Sequence, residues 1–303
     1  MSKDTRVMDA SGGLKGMIAR RREGLMRGVF AVAACVSILC VVLICVFLFA
    51  NAIPAIQEIG LFSFVSGTTW RPGNDIYGIL PMILGSIYVT AGALVVGVPI
   101  ALLTSIFLAR FCPKRLLRPL TAAVNLLAGI PSVVYGFFGL TVLVPLVREH
   151  LGGNGNSMLT ASLLLGMMIL PTIIGVALSS IRAVPESYYE GSLALGASHE
   201  RSVFFVVFPA AKSGVMAGVI LGVGRAIGET MAVIMVAGNQ PRMPQGILEG
   251  VRTLTTNIVM EMSYATGLHR EALIATAAVL FVFILIINFT FSMLKLSLIH
   301  ICR

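Results

Sequence analysis

The sequence predicts an all-α membrane protein with six transmembrane helices, and three observations predict it. Mean hydropathy is +0.95, and 57% of the 303 residues are hydrophobic against 12% charged, beyond the apolar share of soluble domains. Six apolar stretches of about the length that crosses a bilayer core lie near residues 29–50, 79–108, 120–147, 158–181, 214–237 and 273–294. All but two of the charges fall between them, in a balance that alternates from loop to loop.

Residues 1–27 are polar, glycine-containing and basic, and read as a tail that is poorly ordered or lies at the interface. The first apolar run is of full spanning length, starts late and lacks a small-residue cleavage site, so it reads as a retained helix and not a removed signal. Cys35, Cys40 and Cys45 fill apolar space within it; with Cys112 and Cys302 they show neither a disulfide framework nor metal-type spacing. The loop at 51–77 holds Trp70, Arg71-Pro72-Gly73-Asn74-Asp75 and Tyr77. It reads as a turn-rich cap with Trp70 and Tyr77 as aromatic anchors at headgroup level.

The third stretch contains Gly129-Ile130-Pro131-Ser132, then Gly136 and Gly139, a pattern that kinks a helix and frees backbone groups which need internal partners. Such a break belongs against protein or a cavity, whether it lines a route or shapes packing. Between the fourth and fifth stretches, residues 182–213 make a connection of about thirty residues, too long to be featureless. Pro185-Glu186 can start a short helix there and Gly196 can end one. Lying parallel to the membrane, that helix would receive a push from a cytoplasmic partner.

The fifth stretch keeps two charges, Arg225 and Glu229, where each costs about 2.5 kcal/mol or more at membrane depth. On one continuous helix they stand four residues apart and can pair. Gly214, Gly218, Gly222, Arg225, Glu229 and Ala232 share an arc of roughly 80°, a small-residue stripe that should face protein and not lipid. Two readings stand: a structural ion pair locking two helices, or a role in passing an anionic substrate.

The net charge of +9 invites a nucleic-acid partner, but its distribution argues against one. One set of loops and ends carries 16 basic and 6 acidic residues, including Arg110, Lys114, Arg115 and Arg118 with no acid among them; the other set carries 5 and 6. The positive-inside bias then places both termini in the cytoplasm, with lipid headgroups as counter-charge. His150, His199, His269 and His300 lie scattered without a nucleophile or metal-ligand constellation, which argues against an enzyme.

Glu190-Gly191-Ser192-Leu193-Ala194-Leu195-Gly196, followed after nine residues by Val206-Val207-Phe208-Pro209, resembles the EAA loop of ABC importer permeases. That loop is written E-A-A, three residues, G, nine residues, I-x-L-P. Both spacings fit; Gly191 and Ser192 replace the alanines, and Val206 and Phe208 replace Ile and Leu. A narrower resemblance, over residues 51–294, is to the PstA/PstC permeases of high-affinity phosphate importers. It rests on Asn74-Asp75-Ile76-Tyr77-Gly78, on 129–136, on Gly224-Arg225-Ala226-Ile227-Gly228-Glu229-Thr230-Met231-Ala232-Val233, and on Gly238-Asn239. The first of these, with Met231-Ala232-Val233 and Gly238-Asn239, favours the PstC branch; a PstA-like sister, or a sulfate or molybdate importer, is the alternative.

The resemblance implies a type I ABC importer permease (MetI-like) domain over 28–296, set in a bacterial inner membrane. Its partners would be a sister permease (PstA), two copies of an ATPase (PstB), an extracytoplasmic phosphate-binding protein (PstS) and a phosphate-signalling regulator. Glu190, Gly191, Ser192, Leu193, Ala194 and Gly196 would form the coupling helix that docks on the ATPase, and Arg225 and Glu229 would lie in the substrate path. The chain has no phosphate-cradling Gly-x-x-x-x-Gly-Lys loop, so no cofactor is expected on it and ATP would bind the partner. The ending at 297–303 departs from the polar ending expected of this family, and His300 and Cys302 are given no role.

Overall fold

The computed structural model describes the backbone of residues 5–301, with side chains placed for 23–290 and 293. Residues 1–4 of the expected tail, and the side chains of 297–303 with His300 and Cys302, lie outside the described residues. α1 (Thr5–Ile59) joins the basic stretch and the first expected span in one helix. The chain divides after Asn51 into two compact units. In the first, Val29, Phe30, Ile38 and Leu43 are all more than half exposed. A helix apolar on every side is one built for lipid.

The second unit opens on a small cap. α2 (Leu61–Ser66) leads into an antiparallel pair, β1 (Trp70–Arg71) and β2 (Ile76–Tyr77), with Trp70 opposite Tyr77. Asp75 takes the left-handed turn position at φ 54°, which Asp tolerates better than most residues. Gly78 packs so closely on Gly67 that a Cβ would stand 2.7 Å from the Gly67 Cα, so both must be glycine.

α3 (Leu80–Ile106) carries the second span and continues through a wider turn at Phe107–Phe111. α4 (Lys114–Gly129) follows, with no residue buried. The third span departs from the stretch expected at 120–147. Ile130 and Pro131 are extended, because Pro131 lacks an N–H and pushes the residue before it out of helical geometry. The membrane-length segment is therefore Ser132–Leu151, built of α5 (Ser132–Phe138), a wider turn at Gly139–Leu143 and α6 (Val144–Leu151).

α7 (Met158–Arg182) starts on Ser157, whose hydroxyl accepts the Thr160 N–H. Its most apolar window is 67% buried, against 28% to 33% for the spans Leu80–Phe111, Ser132–Leu151 and Gly267–Thr290, so it is the spine on which α3 packs. α8 (Glu186–Ala194), α9 (His199–Ser202), a wider turn and α10 (Phe208–Ala210) fill the long connection. The segment His199–Ala210 meets α11 (Lys212–Gly228) at 69°.

The fifth span also differs from expectation. The helix predicted across 214–237 stops at Gly228; Glu229 is extended, and α12 (Met231–Val236) begins anew. Gly224 and Gly228 are weak helix formers, and the Glu229 side chain caps the following turn. α13 (Leu254–Glu261) and α14 (Gly267–Ile301) complete the unit. Among the described residues, five helices are long and apolar enough to span, or up to six when the bent pair is taken as one.

The small-residue stripe faces protein as expected. A Cβ at Gly218 would meet Val176 Cβ at 3.1 Å, and one at Gly222 would meet Ile173 Cδ1 at 2.8 Å. α11 thus lies backbone-close on α7, the contact small residues allow.

Candidate functional site

Arg225 and Glu229 do not pair, because the break at Glu229 removes the helical i to i+4 relation that would bring them together. Arg225 instead reaches across to α7, where its Nη1 donates to the Thr172 hydroxyl at 3.0 Å. Glu229 turns the other way: its Oε1 accepts the Ala232 N–H at 3.1 Å, in the first turn of α12. Its carbonyl accepts from the Thr255 hydroxyl at 3.2 Å. Both side chains are half-buried.

The two broken spans meet at this point. A Cβ on Gly136 of α5 would stand 3.0 Å from the Ala232 Cα of α12. Tyr135 spans the first break, donating from its hydroxyl to the Leu127 carbonyl at 2.9 Å, and so gives a helix-end acceptor a side-chain partner. Gaps at Ile130-Pro131 and Glu229-Thr230, with Arg225, Thr172 and Thr255, make a polar patch at the depth of apolar helices. A guanidinium there offers planar, bidentate donors to an oxyanion.

A second charged cluster lies beneath the cap. Glu261 is the hub: Oε1 accepts from Arg252 at 2.6 Å, and Oε2 accepts from Trp70 Nε1 and faces His269 Nε2, both at 2.9 Å. Arg252 also donates to the Asn257 side chain and the Asn239 carbonyl, each at 3.0 Å. Trp70 and Tyr77 are therefore buried, at 4% and 3% exposure, and are not headgroup anchors. They bear on each other edge to face at 5.6 Å. The Tyr77 hydroxyl donates to Asp75 at 3.2 Å; burial, then that carboxylate, pushes the phenol pKa up. His269 belongs to this cluster and is not an isolated loop histidine. Nothing in the sequence pairs Trp70 with Glu261, which stand 191 residues apart.

At the other end of the unit, α8 runs from Glu186, after Pro185, to Ala194, and Gly196 follows at φ 85°. The Gly196 and Ala197 N–H groups return to the Leu193 and Ser192 carbonyls at 2.9 and 3.1 Å, the closure that a left-handed glycine permits. Start and stop are those the sequence signals. Glu190, Gly191, Leu193, Ala194 and Gly196 are exposed, and Leu195 is 91% exposed. Ser192 alone of the six predicted coupling residues is buried, its hydroxyl donating to the Tyr189 carbonyl at 2.8 Å. Among the described residues no group of three or more His, Cys, Asp or Glu is placed to hold a metal.

Residues 97–298 match the family described as binding-protein-dependent transport system inner membrane component. The chain belongs to this family. As a member it is a multi-pass inner-membrane transport subunit, not an enzyme, and it works with a separate binding protein. The permease is 36% identical over 286 residues to the probable ABC transporter permease protein YqgH of Bacillus subtilis, covering 89% of this chain and 92% of that one. It is 34% identical to the phosphate transport system permease protein PstC of Mesorhizobium japonicum, over 86% and 88% of the two chains.

Among solved structures, a MetNI methionine ABC transporter matches with TM-score 0.54 at 19% identity, over 73% of the permease and 94% of that chain. A bacterial alginate ABC transporter matches with TM-score 0.58 at 15% identity, over 90% and 94%. These share the fold, which is that of ABC importer permeases.

Proposed function

We propose that this permease forms one wall of an ATP-driven importer of inorganic phosphate, with Arg225 and Glu229 in the path. The observation that carries the reading is an arginine at membrane depth, between two broken helices, held by a neutral hydroxyl and not by a carboxylate. Several relatives named as phosphate transport permeases, at about 34% identity over most of the chain, support phosphate as the substrate.

Thr172 keeps the guanidinium in place when the path is empty. An arriving oxyanion offers Arg225 a charge-assisted bond, which outcompetes the neutral one. Glu229 does not neutralise Arg225; its carboxylate fixes the start of α12 and lends a repulsive charge that favours release. Switching between inward and outward states would move the helices as packed bodies, driven through the exposed face of α8.

On this reading the partners are the PstA-type sister permease, two PstB-type ATPases, which hold the ATP, and the PstS-type binding protein. The phosphate-signalling regulator remains part of the proposal. The basic loops and both termini face the cytoplasm, with lipid headgroups as their counter-charge.

The test is ATP-dependent phosphate uptake in proteoliposomes holding all four kinds of subunit. At equal assembly, Arg225→Gln should lower uptake by about tenfold or more, the equivalent of about 1.4 kcal/mol, and Arg225→Lys should fall between. Unchanged uptake in Arg225→Gln would make the arginine structural and remove the basis of the reading.

A further inference from the structure

Arg110 lies in the wider turn that closes the second span, and its side chain is 13% exposed although it stands in the most basic loop. Its Nη1 lies 3.0 and 2.8 Å from the two oxygens of Glu186, in the first turn of α8. Its guanidinium carbon sits 5.4 Å over the ring of Tyr189, one turn further along. The Tyr189 hydroxyl lies 2.7 Å from His199 Nδ1, at the start of α9. The His199 ring packs edge-on against Phe111 at 4.7 Å.

The contacts close a ring. Two adjacent residues of the second span, Arg110 and Phe111, grip both sides of the turn that carries Gly196. The chain itself ties α8 to α7 through 183–185 and to α9 through 195–198. The ring adds a tie that the chain does not make, from α8 to α3. Glu186 is 57% exposed, and among the described residues nothing accepts from the buried Arg110 Nε. An exposed carboxylate is rehydrated and re-paired at little cost, so this tie can change its geometry without breaking.

We infer that Arg110 and Tyr189 are positioning residues that pass motion of α8 to the second span, so that a push on the coupling helix tilts α3 along α7. The inference rests on the proposed ATP-driven import, in which α8 is the element pushed. It predicts a specific failure: a permease that assembles, and whose ATPase turns over, with hydrolysis no longer spent on uptake.

The experiment measures phosphate taken up per ATP hydrolysed in the reconstituted transporter. Arg110→Gln should lower that ratio by about fivefold or more, the lower range of coupling between sites, with hydrolysis in the absence of the binding protein preserved. The charge exchange Arg110→Glu with Glu186→Arg should recover much of it. If Arg110→Gln does not assemble, Tyr189→Phe serves instead, since it removes one hydroxyl and leaves the ring under the guanidinium; it too should lower the ratio. An unchanged ratio in an assembled variant, or no recovery on charge exchange, overturns the inference. A native complex that hydrolyses ATP without taking up phosphate would instead overturn the substrate reading. The joint would then be judged by how strongly the binding protein stimulates hydrolysis, which Arg110→Gln should weaken.

Discussion

Two clusters of charge stand at opposite ends of the second unit, each centred on one carboxylate, and they differ in how much water they keep. Beneath the cap, Glu261 is 9% exposed and both of its oxygens are occupied, by Arg252 on one side and by Trp70 and His269 on the other. In the coupling loop, Glu186 is 57% exposed and shares its oxygens with Arg110 alone among the described contacts. A buried charge that loses a partner is left with an uncompensated desolvation cost. An exposed one is rehydrated at little cost. The first arrangement suits a part that must not move, and the second suits a part that must.

Substitutions would test that contrast. Glu261→Ala should have the largest effect, because it strands Arg252, His269 and the Trp70 N–H at once; a loss of about 3–5 kcal/mol is expected. Thermal unfolding of the purified permease in detergent would show it, and an unchanged midpoint would mean that the cap is not held by this cluster. Trp70→Phe keeps an aromatic ring but trims the indole and removes one donor, so a smaller loss of about 1.5–3 kcal/mol is expected, chiefly that of a hydrogen bond to a charged group. Glu186→Gln should change the midpoint least, by less than about 1 kcal/mol, while uptake per ATP falls. A Glu186→Gln loss as large as that of Glu261→Ala would erase the contrast and turn the joint into a scaffold.

The parts legible in the sequence are those written in local chemistry. Pro131 announces the first break, Pro185 and Gly196 bound α8, and the stripe from Gly214 to Gly222 shows which face meets a neighbour. The break at Glu229 was not legible, because no proline marks it and a glutamate four residues after an arginine reads as helical. What stops the helix is the Glu229 carboxylate folding onto the next turn, with Thr255 taking its carbonyl, a contact across 26 residues. Thr172 was hidden for a similar reason: a threonine after Pro171 in an apolar run gives no sign of the arginine 53 residues on. The Glu261 cluster draws on β1, the segment before α13, the end of α13 and the start of α14, and periodicity carries no information about such meetings. Trp70 and Tyr77 show the same point, since an aromatic near a membrane boundary reads as an anchor until a cap closes over it.

The burial of α7 has a consequence for how the permease would look from within a bilayer. With 67% of its most apolar window covered, this helix presents little surface to acyl chains, whereas the windows in Ser132–Leu151 and Gly267–Thr290 are 28% covered. A photoreactive lipid probe dissolved in the membrane should therefore label Ser132–Leu151 and Gly267–Thr290 heavily and leave α7 nearly unmarked. Residues on α7 would be reached through water or through the substrate, and the side chain that holds Arg225 is one of them.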